Sequence, residues 1–321
     1  MRKIGCLGII AALLVAVGLW VAHGWKGEGP AARPIAFTVP QGATLASAAA
    51  RLEKAGAISS ATRFRLQARV FGGGGSIKAG EYEIPAGASA SQILSILQSG
   101  KALQRVVVIP EGLPSVMVRD TLMKADELTG DVAAPKEGSV LPDGYSYERG
   151  DTRAAVLARM QAAMTRYLAG AWKARKPASV VASPEQAIIL ASIVEKETGK
   201  PAERRTVAAV YSNRLRLGMP LQADPTVIYP ITRGRPLGRR IRQSELRAKN
   251  GYNTYASAGL PVGPIANPGR LSIDAVLDPA PSKALYFVAD GTGGHVFANT
   301  LAEHNANVKK WYAIRRARGE M

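Results

Sequence analysis

The sequence predicts an α+β chain in three parts: an apolar N-terminal segment, a small mixed α/β module and a larger mixed α+β domain. Three observations predict it. An uncharged apolar run covers residues 4–22. A short strand pattern, a Pro-x-Gly turn and a helical pattern recur three times between Phe37 and Met123. From Thr152 onward, helical patterns dominate, broken by a polar-aromatic region and closed by a strand pair and a last helix.

The apolar run follows Arg2 and Lys3, and its 19 residues approach the roughly 20 that span a bilayer as a helix. Trp20 and Trp25 sit where interfacial aromatics are expected. Residues 1–3 are expected in the cytoplasm, 4–22 as a transmembrane helix, and the body on the other side of the inner membrane. A cleaved signal peptide is the rival. The run is long for one, and no clear A-x-A site follows. Cys6 lies near the start of the run rather than after it, so it is not placed as a lipoprotein cysteine.

Residues 23–34 are rich in Gly, Pro and Ala and read as a linker. The module at 35–103 begins the repeated pattern, with Pro40-Gln41-Gly42 and then Pro85-Ala86-Gly87 as turns. Helical stripes follow them: Leu45, Ala48, Ala49 and Leu52, then Ile93, Leu94 and Leu97. Gly72 to Gly75 read as a loop, because no Gly-Lys-Ser/Thr follows to make a phosphate cradle. The third turn, Pro110-Glu111-Gly112, opens the region 104–321. The stretch Glu137 to Tyr147 reads either as a substrate-facing loop or as packing for its two tyrosines. A helix is expected from Thr152, carrying Val156, Met160, Met164 and Tyr167 inward.

The next stretch draws the most attention. Ser183 suits an N-cap, Pro184 the first helical position and Gln186 a capping box. Leu190, Ile193 and Val194 form an apolar stripe, and Glu197 continues it. Glu195 falls toward the opposite face. A carboxyl on a buried face is costly when charged, so it is either paired or protonated. A protonated one serves as a catalytic acid near neutral pH. Another helix is expected over 201–217. Leu221 to Tyr229 and Tyr252 to Tyr255 then lean toward β, with tyrosines and amides suited to a sugar cleft. Leu285 to Ala289 and His295 to Phe297 read as a strand pair, and a final helix starts at Thr300.

Composition bounds the chemistry. The net charge of +18 favours an anionic partner. The run Arg233, Arg235, Arg239, Arg240 and Arg242 has no interleaved aromatics to stack bases. An exported body points to lipid head groups or an anionic wall rather than nucleic acid. One cysteine excludes an internal disulfide, and His23, His295 and His304 without a nearby cysteine make no metal site.

These motifs occur in a recognisable order: Leu190-Ala191-Ser192-Ile193-Val194-Glu195-Lys196-Glu197-Thr198, Asn213-Arg214-Leu215, Leu221 to Tyr229, Tyr252-Asn253-Thr254-Tyr255, Gly263 to Gly269, and His304-Asn305. Together they resemble the endolytic murein transglycosylases of the MltG (YceG-like) family. The resemblance implies a transmembrane helix, a LysM-like module at 35–103 and a catalytic domain at 104–321. It implies a lyase that cleaves the MurNAc-β-1,4-GlcNAc bond of nascent peptidoglycan strands and leaves 1,6-anhydroMurNAc ends, thereby terminating strand elongation. The catalytic acid then falls on Glu197, with Glu195 the runner-up. Motif position and composition put substrate contacts at Thr198, Gln222, Asp224, Thr226, Tyr252, Asn253, Thr254 and Asn267. No cofactor or metal is implied. Partners are peptidoglycan strands, the inner membrane and peptidoglycan synthases, without nucleic acid. Gly144 and Val262 depart from the family pattern. The competing reading is a non-catalytic wall-binding scaffold tethered to the membrane.

Overall fold

The computed structural model describes residues 23–320. The cytoplasmic end at 1–3 and the transmembrane helix expected at 4–22 lie outside them. Among the described residues no helix is long and apolar enough to cross a membrane. The chain divides into two compact units: residues up to 105 with 146–150, and 106–145 with 151 onward.

The first unit runs β1 (Ile35–Val39), α1 (Leu45–Lys54), α2 (Ala61–Phe71), β2 (Gly80–Ile84) and α3 (Ala90–Ser99). The strands pair antiparallel, with Ile35 opposite Ile84 and Val39 opposite Gly80. Thr44 and Ser89 cap α1 and α3 through reciprocal capping boxes. Phe37, Leu52, Phe64, Tyr82, Ile93 and Leu97 fill one core. Helix α2 is absent from the sequence expectation. It buries only Phe64, Gln67 and Ala68, so its arginine-rich sequence shows too sparse a stripe to detect. The stretch expected as a linker is packed instead. Trp25 is buried against Phe64 and Phe71, at ring distances of 6.4 and 6.0 Å. The Gly29 amide donates to the Gly87 carbonyl, and the Gly87 amide to Ala31. Trp25 therefore contributes to a protein core rather than to a membrane interface.

The second unit holds most of β3 (Arg105–Val108), then α4 (Ser115–Lys124), part of β4 (Gly144–Tyr147), and α5 (Arg153–Lys173). There follow α6 (Pro184–Glu197), a 3-10 turn at Pro201–Glu203, α7 (Arg204–Arg216), α8 (Asp224–Thr232), α9 (Gln243–Arg247) and α10 (Arg270–Leu277). A hairpin of β5 (Tyr286–Ala289) and β6 (His295–Ala298), with Phe287 opposite Phe297, precedes α11 (Leu301–Ala317). Two expectations change here. Leu221 to Tyr229 is largely helical, because Pro225 suits a first turn and Thr226 bonds back to the Ala223 carbonyl at 2.7 Å. Tyr252 to Tyr255 forms turns rather than a strand.

Helix α6 is the centre of this unit. Ser183 accepts from the Gln186 amide, while Gln186 reaches back to Ala182 rather than to the cap residue itself. Ala187, Ile188, Leu190, Ala191, Ser192, Ile193 and Val194 are all buried. This is a helix enclosed nearly all round, not one with a single apolar stripe. It packs against α5, α7, α8 and α10. Small residues permit the close approach, and the buried Ser192 hydroxyl accepts from the Ile265 amide at 3.0 Å. Gly138 has φ +75, and a Cβ there would come within 2.6 Å of Ile188 and 2.7 Å of Pro264. A side chain at that position would push the loop off α6.

Glu195 is part of this packing. Its side chain is as buried as the stripe residues, at 5% exposure, beside Arg204 at 6%. Arg204 Nη2 lies 3.3 Å from one carboxylate oxygen, and the Gly269 amide at the start of α10 donates to the other at 2.9 Å. One side chain thus ties α6, α7 and α10, with its negative charge at the favourable N-terminal end of α10. Glu195→Ala removes the nearer and more buried partner of Arg204 and leaves it only Glu111, at 3.7 Å. Chemical denaturation of that variant is expected to show a loss of about 3–5 kcal/mol; an unchanged midpoint contradicts this role.

Candidate active site

The last residue of α6 is Glu197, and Thr198 leaves the helix in an extended conformation with φ −141. The end of a helix carries partial negative charge, so a carboxylate is disfavoured there. The surroundings add to this. Glu197 keeps intermediate exposure as a residue, but its carboxyl is crowded by protein, and desolvation raises its pKa to about 7. Asp224 raises it further by like charge, while a hydrogen bond from Tyr211 and the charge of Arg214 hold it down. Among the described residues no cation lies within ion-pair distance of Glu197. The contrast with Glu195 is sharp. Both carboxyls are enclosed, but one is neutralised by Arg204 and the other is left to share a proton. Facing alone does not separate them, because both carboxyls are enclosed.

Helix α7 supplies the floor. Val207, Ala208 and Tyr211 pack inward, and Arg214 follows Tyr211 at a spacing of three, on the same side. Tyr211 is buried, and burial with the adjacent Glu197 pushes its hydroxyl pKa well up, so it stays a donor. Arg214 is buried too, and desolvation lowers its pKa. It donates to Leu285 O at 2.7 Å and to Leu221 O at 2.7 Å, and its guanidinium lies 5.2 Å from the Tyr286 ring centre. Arg214 therefore joins α7, the start of β5 and the turn before α8. Asn213 reinforces this by donating to Ser282 O and Ala284 O. Tyr211, Arg214 and Tyr255 are not among the site residues expected from the sequence, although Arg214 and Tyr255 lie in its motifs. The three-residue spacing of Tyr211 and Arg214 was the available signal.

The turn before α8 brings the polar groups. Gln222 is exposed and adopts a left-handed conformation, φ +54, with its amide donating to Thr254 O at 3.0 Å. Such a conformation in a non-glycine residue costs on the order of 1 kcal/mol and marks a position fixed by its surroundings. Asp224 opens α8, is exposed, and accepts the Tyr255 hydroxyl at 2.6 Å. Thr226 and Thr254 are buried and share a hydroxyl contact of 2.8 Å, while the Ala223 amide donates to Thr254 Oγ1. Asn253 is buried and spends its amide on the Glu245, Leu246 and Ala248 carbonyls. Thr198 is buried and accepts from the Lys200 amide. Asn267 is buried in a separate network, donating to Leu113 O and Ser115 Oγ and accepting from the Val140 amide. Tyr252 is partly buried, its ring 4.8 Å from that of Tyr229.

Of the nine residues expected at the site, Glu197, Gln222, Asp224, Thr226 and Thr254 cluster around the α6 end and the α8 start. Thr198, Thr226, Asn253, Thr254 and Asn267 direct their polar atoms into the protein. Gln222 and Asp224 are the polar groups left exposed. The structure also brings a second carboxylate, Asp224, into electrostatic range of Glu197, where the sequence suggested a single acid. Glu137, singled out by no motif, accepts from Ser115, Tyr229 and Asn267 and so ties α4 and α8 together. Burial raises its pKa. His295 is bound to Glu203 at 2.8 Å, and His304 stacks on Tyr286, so both histidines are structural. No group of three or more candidate metal ligands occurs among the described residues.

An arrangement of one raised acid, a neighbouring carboxylate and a tyrosine donor suits proton transfer to and from a glycosidic oxygen. The sequence profile of the YceG-like family matches residues 37–310. The endolytic murein transglycosylase of Bacillus subtilis (strain 168) is 29% identical over 309 residues, covering 86% of this chain and 84% of its own. That of Streptococcus pneumoniae (strain D39) is 27% identical and covers 84% of this chain, which spans 57% of that longer protein. The crystal structure of a YceG-like protein from Listeria monocytogenes aligns with a TM-score of 0.53 at 28% identity, over 85% of this chain and 99% of that one. With 37–310 matched and the fold shared, the chain belongs to the YceG-like family.

Proposed function

We propose that this chain is an endolytic lytic transglycosylase of peptidoglycan, with Glu197 as its acid and base. The observation that carries the reading is the Glu197 carboxyl: enclosed, without an ion pair, and raised to about 7. In the first step its proton passes to O4 of the departing GlcNAc as the C1–O4 bond breaks. The MurNAc ring becomes oxocarbenium-like, and Glu197 is left as carboxylate. Asp224 supports that positive charge. In the second step the muramyl O6 attacks C1 while its proton returns to Glu197, closing the 1,6-anhydro ring. The nucleophile is already on the substrate, so no water need be positioned. Tyr211 and Arg214 hold the carboxyl in place. Gln222, Asp224 and Tyr252 contact the sugars, and Thr198, Thr226, Asn253, Thr254 and Asn267 shape the walls they stand on.

Asp224 also favours a second reading, in which it activates water and the products carry reducing MurNAc ends. Anhydro ends in the products exclude it.

The remaining organisation is part of the same proposal. The order β1-α1-α2-β2, with two helices between paired strands, supports a LysM-like module at 35–103. The catalytic domain takes 104–321. The apolar run at 4–22 supports a single anchor in the inner membrane with the enzyme on the periplasmic side, close to peptidoglycan synthases.

Two outcomes are expected. Activity is carried by the protonated form, so kcat/KM on purified strands should be flat at acidic pH and fall tenfold per unit above about 7. Glu197→Gln should abolish anhydro-muropeptides in mass spectra while retaining strand binding; substantial anhydro product from it refutes the assignment. The same variant has a stability signature. Folding raises the Glu197 pKa, so the fold of the parent is penalised as pH climbs from the unfolded value near 4.5 through about 7. Gln escapes the penalty, and the variant should be more stable than the parent by about 3 kcal/mol at pH 8, the gap closing below pH 4.5.

A further inference from the structure

A groove that the two proton transfers do not use is walled in part by the sequence neighbours of Glu197 and Asp224. It holds about 490 Å³ between the loop after β3, the start of α4, the first turns of α8 and the loop at 234–237. That volume suits a ligand of a few residues. The groove adjoins the acid along the chain itself: Lys196 on its wall precedes Glu197, and Pro225 follows Asp224. Its lining is mostly apolar, with Leu113, Met117, Ile228, Leu237 and Ile265, and Tyr229 is its single aromatic residue. Sugar rings call for aromatic platforms and convergent hydrogen-bonding groups, and this lining has few of either.

The charges on the groove are informative. Lys196 is exposed, and no carboxylate lies within ion-pair distance of it among the described residues. Its ammonium rests 3.5 Å from the Gly112 carbonyl, at the limit of a hydrogen bond. Arg235 is held by Asp120. Glu111 is the acid on the lining; burial and the nearby Glu195 raise its pKa, and Arg204 lies 3.7 Å away.

We infer that this groove takes the peptide stem borne by a muramyl residue at the scissile bond, with Lys196 pairing a stem carboxylate. The inference rests on the transglycosylase reading. A stem is a short peptide of mostly small side chains that carries free carboxylates and an amino group. Its methyl groups meet the apolar floor, a carboxylate meets Lys196, and the amino group meets Glu111. The enzyme then selects strands whose stems have not been removed, and the stem fixes which glycosidic oxygen faces Glu197.

The test uses glycan strands with intact stems and the same strands stripped by an amidase. The parent protein is expected to cleave intact strands with a kcat/KM at least about fivefold higher, carried mainly by KM, a difference of about 1 kcal/mol. Lys196→Glu should bring the ratio near unity, and Lys196→Arg should keep most of it. Lys196 is exposed, so neither change threatens the fold. Equal cleavage of both substrates by the parent, or a full ratio retained by Lys196→Glu, overturns the groove assignment and leaves the transglycosylase reading standing. Cleavage of neither substrate overturns that reading and the groove with it.

Discussion

The structure depends on one constraint: a carboxyl placed at the enclosed C-terminal end of a buried helix, with no cation within ion-pair distance among the described residues. Helix termini, desolvation and a neighbouring acid all disfavour the charged form of Glu197. The fold tolerates this because α6 is packed by α5, α7, α8 and α10. Its small residues admit α7 and α10 closely, its serine holds the 265 loop, and Glu195 anchors Arg204 two residues before the acid. The two glutamates of one motif thus divide the work. One ties three helices together through Arg204 and the Gly269 amide; the other has no ion pair among the described residues, and burial favours its protonated form.

Much of this was legible in the sequence, and the failures have physical causes. The repeated strand, Pro-x-Gly and helix pattern corresponds to β1 with α1, β2 with α3 and β3 with α4, because turn chemistry and period are local properties. Helix α2 escaped because its burial rests on Phe64, Gln67 and Ala68 among arginines. Helix α8 reads as β in the sequence because Val227, Ile228 and Tyr229 lean that way. Trp25 was read against an assumed membrane, whereas Phe64 and Phe71 lie far from it in sequence and cannot be paired with it by pattern.

The site was legible in part. The proposed acid ends the helix that the sequence picks out, but the argument from facing is weak, because the Glu195 side chain is buried as well. What distinguishes the pair is a partner on another helix. The same holds for the threonines and asparagines of the polar-aromatic motifs. Their residue types suit sugar binding, yet Thr226, Thr254, Asn253 and Asn267 use their polar atoms to brace turns. A motif conveys that a polar group is needed, not toward which side it points. Asp224 and Gln222 keep their exposure because the left-handed turn at Gln222 presents them.

The central claim is that the fold itself keeps Glu197 protonated near neutrality. The most direct measurement follows its side-chain carboxyl by NMR, in protein carrying 13C-labelled glutamate, with Glu197→Gln to assign the signal. A titration midpoint near 7 is the expected result. A midpoint near 4.5, the ordinary value for a glutamate, contradicts the account, because the helix end and the burial would then have failed to hold the proton that the chemistry requires.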